Sequence, residues 1–224
     1  MAATMSTRRF VLEAIDPATE CPAVEVSFEV EDIDDLRAIV DPQATFEDFE
    51  NGYDLNREET DQISKRFGIK FDPGSFLVTL RTARKTDELP YKVHTNRELA
   101  MMLAGTKPFA YFADSYPASP HFKLPEHLFA PYVTEGRFIK REYVIPRERQ
   151  ITPYGEVRGT RMVLYALKHE EWRIEAFILL QKTAEKVGWT EGFERMLGSL
   201  LGYEEWQNDA FIEYATRWGV LKTK

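Results

Sequence analysis

Residues 23–31 read AVEVSFEVE, and from Val24 to Glu31 apolar and polar side chains alternate without a break. Successive side chains of a β-strand point to opposite faces, so this period of two predicts a strand with one buried and one exposed face. Apolar runs predict further strands at 10–15, 76–82 and 109–113. Two antiparallel strands are predicted at 137–146 and 157–167, joined by a loop because the connection is too long for a tight hairpin.

The last quarter of the chain, residues 169–219, has helical periodicity instead. Three apolar faces recur at spacings of three and four, and the last two are followed by the glycines Gly202 and Gly219. The pattern predicts an α+β fold with a mixed or mainly antiparallel sheet, flanking helices and a three-helix C-terminal subdomain. No linker or internal repeat interrupts residues 1–224, which favours a single α+β domain.

The composition narrows the class of protein. The chain has 224 residues and a net charge of −8, which disfavours a general affinity for nucleic acid or for an anionic membrane. Its single cysteine, Cys21, excludes an internal disulfide and a CxxC pair. Because no apolar run approaches the ~20 residues of a membrane span, we expect a soluble, cytoplasmic protein that makes no membrane contact.

Standard catalytic motifs are absent from the sequence. No phosphate-binding GxxxxGK[ST] loop or GxGxxG turn occurs, and the string that begins at His169 lacks the second histidine of a zinc-protease motif. In Gly198–Gly202 the serine stands one place too early for a nucleophile elbow, and the segment is predicted to be helical. We therefore expect no cofactor and no metal site, while an enzyme whose catalytic residues are scattered along the chain stays open.

Such a scattered site would lie near residues 94–98 and 111–121. The stretch 109–138 is rich in aromatic residues and prolines, as ligand pockets often are, although the same residues could simply pin a long loop to the sheet. The weak catalytic candidates are His94, Asp114 and His121. Candidate ligand-binding residues, suited to a small anionic ligand, are Arg97, Glu98, Tyr111 and Tyr116. A helix-capping role explains Glu98 equally well.

The charge is distributed unevenly. Residues 1–75 contain 18 acids and 7 bases, whereas six arginines and one lysine fall within 137–161. Arginine favours bidentate contacts with carboxylate or phosphate, so the candidate partner-binding residues are Arg141, Arg147 and Arg149. The alternative is that the arginines pair with neighbouring glutamates and that many of the acids cap helices.

These observations favour a protein that works by binding. The acidic N-terminal third and the arginine-rich strand pair are the predicted contact surfaces for a protein partner. The alternatives are the enzyme described above and an RNA or DNA contact through 137–161, although nucleic acid is disfavoured overall. The apolar C-terminal helices also offer a surface for homo-oligomer formation.

Overall fold

The computed structural model describes residues 7–119, 123–153 and 155–221, which divide into two compact units. The first unit extends to Glu88 and includes Thr95–Arg97, and the second contains Leu89–His94 and the chain from Glu98 onward. Each unit has its own sheet and its own hydrophobic core. The single-domain organisation of residues 1–224 stays a prediction.

The first unit is a four-stranded antiparallel sheet in the order β2-β1-β4-β3, accompanied by three helices and a 3-10 turn at Lys85–Glu88. Its elements are β1 (Arg8–Asp16), β2 (Cys21–Val30), α1 (Ile33–Arg37), α2 (Phe46–Asn51), β3 (Tyr53–Leu55), α3 (Arg57–Arg66) and β4 (Leu77–Thr82).

One face of this sheet carries the apolar core of the first unit. Phe10 of β1 lies opposite Phe28 of β2, and Leu12 lies opposite Leu80 of β4. These side chains are buried against the three helices, which contribute Leu36, Phe49 and Ile63. Several acids of the N-terminal third have local roles there, because Asp32, Asp48 and Glu59 accept hydrogen bonds from backbone N–H groups at helix starts.

The second unit is a three-stranded antiparallel sheet in the order β5-β7-β6 with helices on both faces. Its elements are α4 (Glu98–Leu103), β5 (Phe109–Tyr116), α5 (Glu126–Thr134), β6 (Phe138–Thr152), β7 (Gly155–Leu167), α6 (Trp172–Val187), α7 (Glu191–Leu200) and α8 (Glu205–Arg217). One sheet face packs on α6 and α7 through Phe109, Leu164 and Phe177, whereas Phe129 of α5 stacks on Tyr165 on the other face.

The loop predicted between 146 and 157 is wrong, because β6 and β7 continue as one long hairpin. The register shifts between Pro146 and Gln150, and pairing then resumes as far as Thr152 and Gly155. Proline cannot donate a ladder hydrogen bond, so an irregularity at Pro146 is expected. Gly159 lies opposite Pro146, where an added Cβ would clash with the carbonyl oxygen of Ile145.

The α+β prediction is confirmed, and both sheets are antiparallel. The predicted three-helix C-terminal segment corresponds to α6, α7 and α8. Across the described ranges, no helix combines the length and the apolar character that crossing a membrane requires.

Candidate functional site

The second unit has an open apolar groove between α6 and α7, called the apolar groove below. Its volume is about 580 Å³. It is lined by Trp172, Arg173, Ala176, Leu179, Leu180, Thr183, Phe193, Arg195, Met196, Ser199 and Leu200. Large apolar side chains remain open to solvent there: Trp172 is 55%, Leu179 66% and Met196 57% exposed. Contiguous exposed apolar side chains of this kind mark contact surfaces more often than isolated ones do.

Two faces of α6 explain why the groove is apolar. Ile174, Phe177, Leu180 and Ala184 recur at spacings of three and four and are buried against the sheet. A second row, shifted around the helix, is exposed and contains Trp172 and Leu179. The sequence of α6 therefore has two apolar faces, of which one is buried in the second unit and the other is exposed to solvent.

The other wall of the groove is α7, which begins after Thr190. The hydroxyl of Thr190 accepts a hydrogen bond from the backbone N–H of Phe193 at 3.3 Å, which fixes the start of the helix. Leu197 and Leu200 point into the core, so Met196 is left on the outer side. A flexible thioether side chain at this position can adapt its shape to an incoming apolar group.

Arginines form the polar rim of the groove. Arg173 pairs with Glu170 at 2.7 Å and donates to the carbonyl oxygens of Ser199 and Leu200, which ties α6 to the end of α7. Arg195 pairs with Glu191 and Asp209. The apolar floor is thus surrounded by charges that are already neutralised, as in the core and rim of a protein-binding patch.

A second feature, called the lysine cluster below, is buried in the second unit and consists of Lys107, His94 and Tyr203. The Lys107 Nζ atom lies 3.1 Å from His94 Nδ1 and donates to the carbonyl oxygen of Leu201 at 3.3 Å. The His94 ring stacks on the Tyr203 ring with centroids 3.8 Å apart. The backbone N–H of His94 donates to the Tyr203 hydroxyl at 2.8 Å.

Burial sets the ionisation of this cluster. Only 2% of Lys107 is exposed, and desolvation of the ammonium lowers the pKa of Lys107 to about 8. The Glu98 carboxylate opposes this effect without cancelling it. Desolvation also raises the pKa of Tyr203. An amine of lowered pKa can act as a base or a nucleophile, but a substrate must first reach it.

Three of the predicted site residues lie around the lysine cluster. His94 belongs to it, and Glu98 is close enough to perturb Lys107, Tyr203 and Tyr111 electrostatically. Tyr111 packs on Phe177, with centroids 4.8 Å apart, so it also forms part of the core under α6. The structure therefore brings together His94, Glu98 and Tyr111, although their assignments as catalytic or ligand-binding residues stay predictions.

The predicted residues at the end of β5 have local roles. Asp114 accepts hydrogen bonds from the backbone N–H groups of Ser115 at 2.6 Å and Ser119 at 3.2 Å, so its carboxylate shapes the turn that follows. Tyr116 is exposed and precedes Pro117 in a cis peptide bond. His121 lies outside the described residues.

Arg97 lies in the first unit, within a buried ion cluster, called the arginine cluster below. Its guanidinium contacts the Glu25 carboxylate at 2.5 Å. Glu25 also lies 3.6 Å from Arg81, which pairs with Glu13 at 2.7 Å. Although the alternation in β2 predicts an exposed Glu25, its side chain is only 8% exposed. Arg97 is thus held by the Glu25 carboxylate, and its predicted role in binding an anion stays a prediction.

The arginines predicted to bind a partner lie on β6 near glutamates. Arg141 pairs with Glu171 and with Glu175 of α6. Arg149 pairs with Glu156 at 2.7 Å, and Arg147 is exposed. Pairing within the unit lowers the positive charge that this strand pair offers to phosphate, so it weakens the physical case for nucleic acid. The contact itself stays a prediction.

Sequence reasoning missed the most distinctive residue, Lys107, and the exposed half of α6. Lys107 stands between Thr106 and Pro108 in a polar stretch, where lysine is ordinarily exposed, so the sequence contains no signal of its burial. Leu179 did carry a signal, because α6 is apolar over much of its circumference.

Within residues 7–119, 123–153 and 155–221, no three His, Cys, Asp or Glu side chains come together as metal ligands could.

No protein-family model matches this chain, and neither a curated protein nor a solved structure matches it significantly.

Proposed function

We propose that this protein works by protein–protein binding and that its contact surface is the apolar groove between α6 and α7. The observation that carries the proposal is the exposure of Trp172, Leu179 and Met196 in one concave surface. Tryptophan, methionine and arginine are enriched at such interfaces, and a buried centre with a polar rim is their usual arrangement.

The shape of the groove fits a helix. It is bounded by two packed helices, and the small side chains of Ala176 and Thr183 leave space beside Leu179. An amphipathic helix that lays its apolar face into such a groove buries anchors at spacings of three and four. Removing these side chains from water stabilises the complex by roughly 25 cal/mol per Å² of apolar surface, before the cost of association.

A display library of amphipathic helical peptides tests this function without knowledge of the partner. We expect selection to enrich helices with a continuous apolar stripe, and Leu179→Glu to abolish their binding. The matched control is Val187→Glu, because Val187 is also exposed on α6 but does not line the groove. If the library enriches no peptide, or if both variants bind the enriched peptides equally well, the groove is not the contact surface.

The enzyme predicted as an alternative can be assigned to the lysine cluster, because Lys107 has the amine of lowered pKa there. Reductive methylation with formaldehyde and borohydride at pH 8 tests whether a small carbonyl compound reaches it. Labelling of Lys107 to the extent of exposed Lys182 would support an enzyme. A Lys107 that stays unlabelled while Lys182 reacts fully would rule out this assignment.

Contact with RNA or DNA through residues 137–161 also stays a prediction. It requires an affinity that falls with salt and that weakens when Arg147 and Arg149 are replaced by alanine. Affinity for a single-stranded oligonucleotide that is insensitive to both would exclude it.

A further inference from the structure

The exposed side of α6 has an internal symmetry. Its outward row consists of Trp172, Glu175, Leu179, Lys182 and Lys186, at spacings of three and four. Leu179 is the midpoint, because Trp172 and Lys186 lie seven residues to either side. Glu175 and Lys182 lie four and three residues to either side. The row is thus acidic and aromatic in its first half and basic in its second half.

Such a row is complementary to an antiparallel copy of itself. A two-fold axis through Leu179 places Leu179 against its counterpart and Glu175 beside Lys182 of the second copy. The same axis places the Trp172 ring near Lys186 of the second copy, where an ammonium group is attracted by the face of an indole. A parallel arrangement would instead place like charges together, so the charge pattern selects the antiparallel one.

The packing surface is consistent with this geometry. Ala176 and Thr183 flank Leu179 on the side of α6 that lines the groove, whereas Glu175 and Lys182 do not line it. Small side chains beside a protruding leucine allow two helices to approach closely, with the ridge of one in the groove of the other. The charged pairs then lie at the edge of the contact, where they determine orientation more than affinity.

We propose that the occupant of the apolar groove is a second copy of this chain, bound through antiparallel α6 helices in a two-fold symmetric dimer. This inference rests on the proposed function, because it assigns the partner of the same surface. It accounts for the exposed apolar row and for the distribution of charge along α6. Within its own copy, Glu175 also pairs with Arg141 of the strand pair and Lys182 lies over the ring of Tyr143, so the contacts with the second copy add to these.

Sedimentation equilibrium of the full chain, at protein concentrations from about 1 to 100 µM, tests the dimer. We expect the wild-type chain to dimerise and Leu179→Glu to be monomeric. Glu175→Lys and Lys182→Glu should each weaken dimerisation at least tenfold, because each places like charges together. The double variant Glu175→Lys/Lys182→Glu should restore it, because the pair is then reversed on both copies. Glu185→Lys, on another face of α6, is the matched control and should dimerise normally.

Tryptophan fluorescence on urea unfolding shows whether each variant is folded, since all four tryptophans lie in the second unit. A monomeric wild-type chain at every concentration overturns the dimer. So does a dimer that tolerates Leu179→Glu, or one that the double variant fails to restore. The peptide selection described above separates this failure from that of the proposed function. A monomer whose groove still selects helical peptides contradicts only the dimer, whereas a groove that selects none contradicts both.

Discussion

Nζ of Lys107 lies 3.1 Å from Nδ1 of His94, and both side chains are buried in the second unit. A protonated lysine has no acceptor, so His94 Nδ1 must accept this hydrogen bond while Lys107 is charged. The same ammonium donates to the carbonyl oxygen of Leu201, the C-cap residue of α7, where a positive charge is favoured by the helix dipole. The pair therefore links the segment before α4 to the end of α7 through a group that is costly to keep charged.

Stability should depend on the ionisation of Lys107. In the folded chain its pKa is lowered to about 8, whereas in the unfolded chain it returns towards 10.5. Between these values the unfolded state binds more protons, so the free energy of unfolding rises with pH. We expect a rise of about 1 kcal/mol from pH 8 to pH 9, measured by urea unfolding followed with tryptophan fluorescence.

The control for this prediction is Lys107→Met, which should remove the rise. The measurement stops at pH 9 because the tyrosines with a raised pKa act in the opposite direction as the pH approaches their unfolded value of 10.0. Burial raises the pKa of Tyr91 to about 12, so the stability associated with its retained proton is lost as pH increases beyond the unfolded value of 10.0. An equal rise in wild-type and Lys107→Met protein would assign the effect to other groups.

The arginine cluster should be sensitive to the loss of Arg81. This residue contacts Glu13 at 2.7 Å and Asp87 at 2.6 Å, and 4% of its side chain is exposed. Arg81→Met leaves Glu13 buried without its closest cation, which should lower the free energy of unfolding of the first unit by about 3–5 kcal/mol. Hydrogen exchange of peptides from β1, corrected for intrinsic rates, measures this loss.

The loss should be smaller at pH 5 than at pH 7.5. Burial already raises the pKa of Glu13, and Arg81 opposes that rise. Without Arg81 the pKa increases further, so a lower pH favours the neutral form of Glu13, which is no longer a buried charge. Arg57→Met removes only an exposed pair with Asp61 and should cost at most about 0.5 kcal/mol. Similar losses in the two variants would mean that the burial of Arg81 has no energetic consequence.

Local patterns predicted the elements of the fold because neighbouring residues determine them. The alternation around Phe28 identified β2, and Asn56 and Glu59 have the spacing of the capping box that begins α3. The helix α2 was missed, since its cap residues Thr45 and Asp48 lie in an acidic stretch that lacks helical periodicity. The chain was also expected to form one sheet, whereas the strands form two, because which strands pair depends on contacts distant in sequence.

The candidate sites were harder to predict for the same reason. His94 and Glu98 were selected for their spacing, yet what makes them notable is Lys107, which approaches only through tertiary packing. Glu25 faces Arg97 and Arg81, and no local pattern indicates that a strand glutamate will be buried beside arginines. Periodicity shows that α6 has two apolar faces but not which of them the sheet covers.

Arg161 should stabilise the second unit mainly at neutral pH. It contacts Glu126 and Glu142, each at 2.8 Å, and these hydrogen bonds lower the pKa of both carboxyl groups. Carboxyls of lowered pKa contribute stability above their unfolded value of 4.5, and the contribution is lost as pH falls through the folded value. Arg161→Met should therefore cost about 2 kcal/mol at pH 7 and much less at pH 3, measured by urea unfolding. Equal costs at both pH values would show that the arginine acts through packing alone.

Gly198 allows α7 and α8 to approach each other, and its replacement should be costly. A Cβ added there would clash with the side-chain amide of Asn208, which is itself buried. Gly198→Ala should lower the free energy of unfolding by about 1–3 kcal/mol, because the two helices must separate or Asn208 must leave its rotamer.

Gly192→Ala is the control in the same helix, since an added Cβ there has its nearest neighbour at 3.8 Å. It should stabilise the protein by up to about 1 kcal/mol, because alanine favours a helix over glycine. Adding Asn208→Ala to Gly198→Ala should recover much of the loss, since it removes the amide in the way. If the double variant is as unstable as the sum of the single changes, the clash with Asn208 is not the cause.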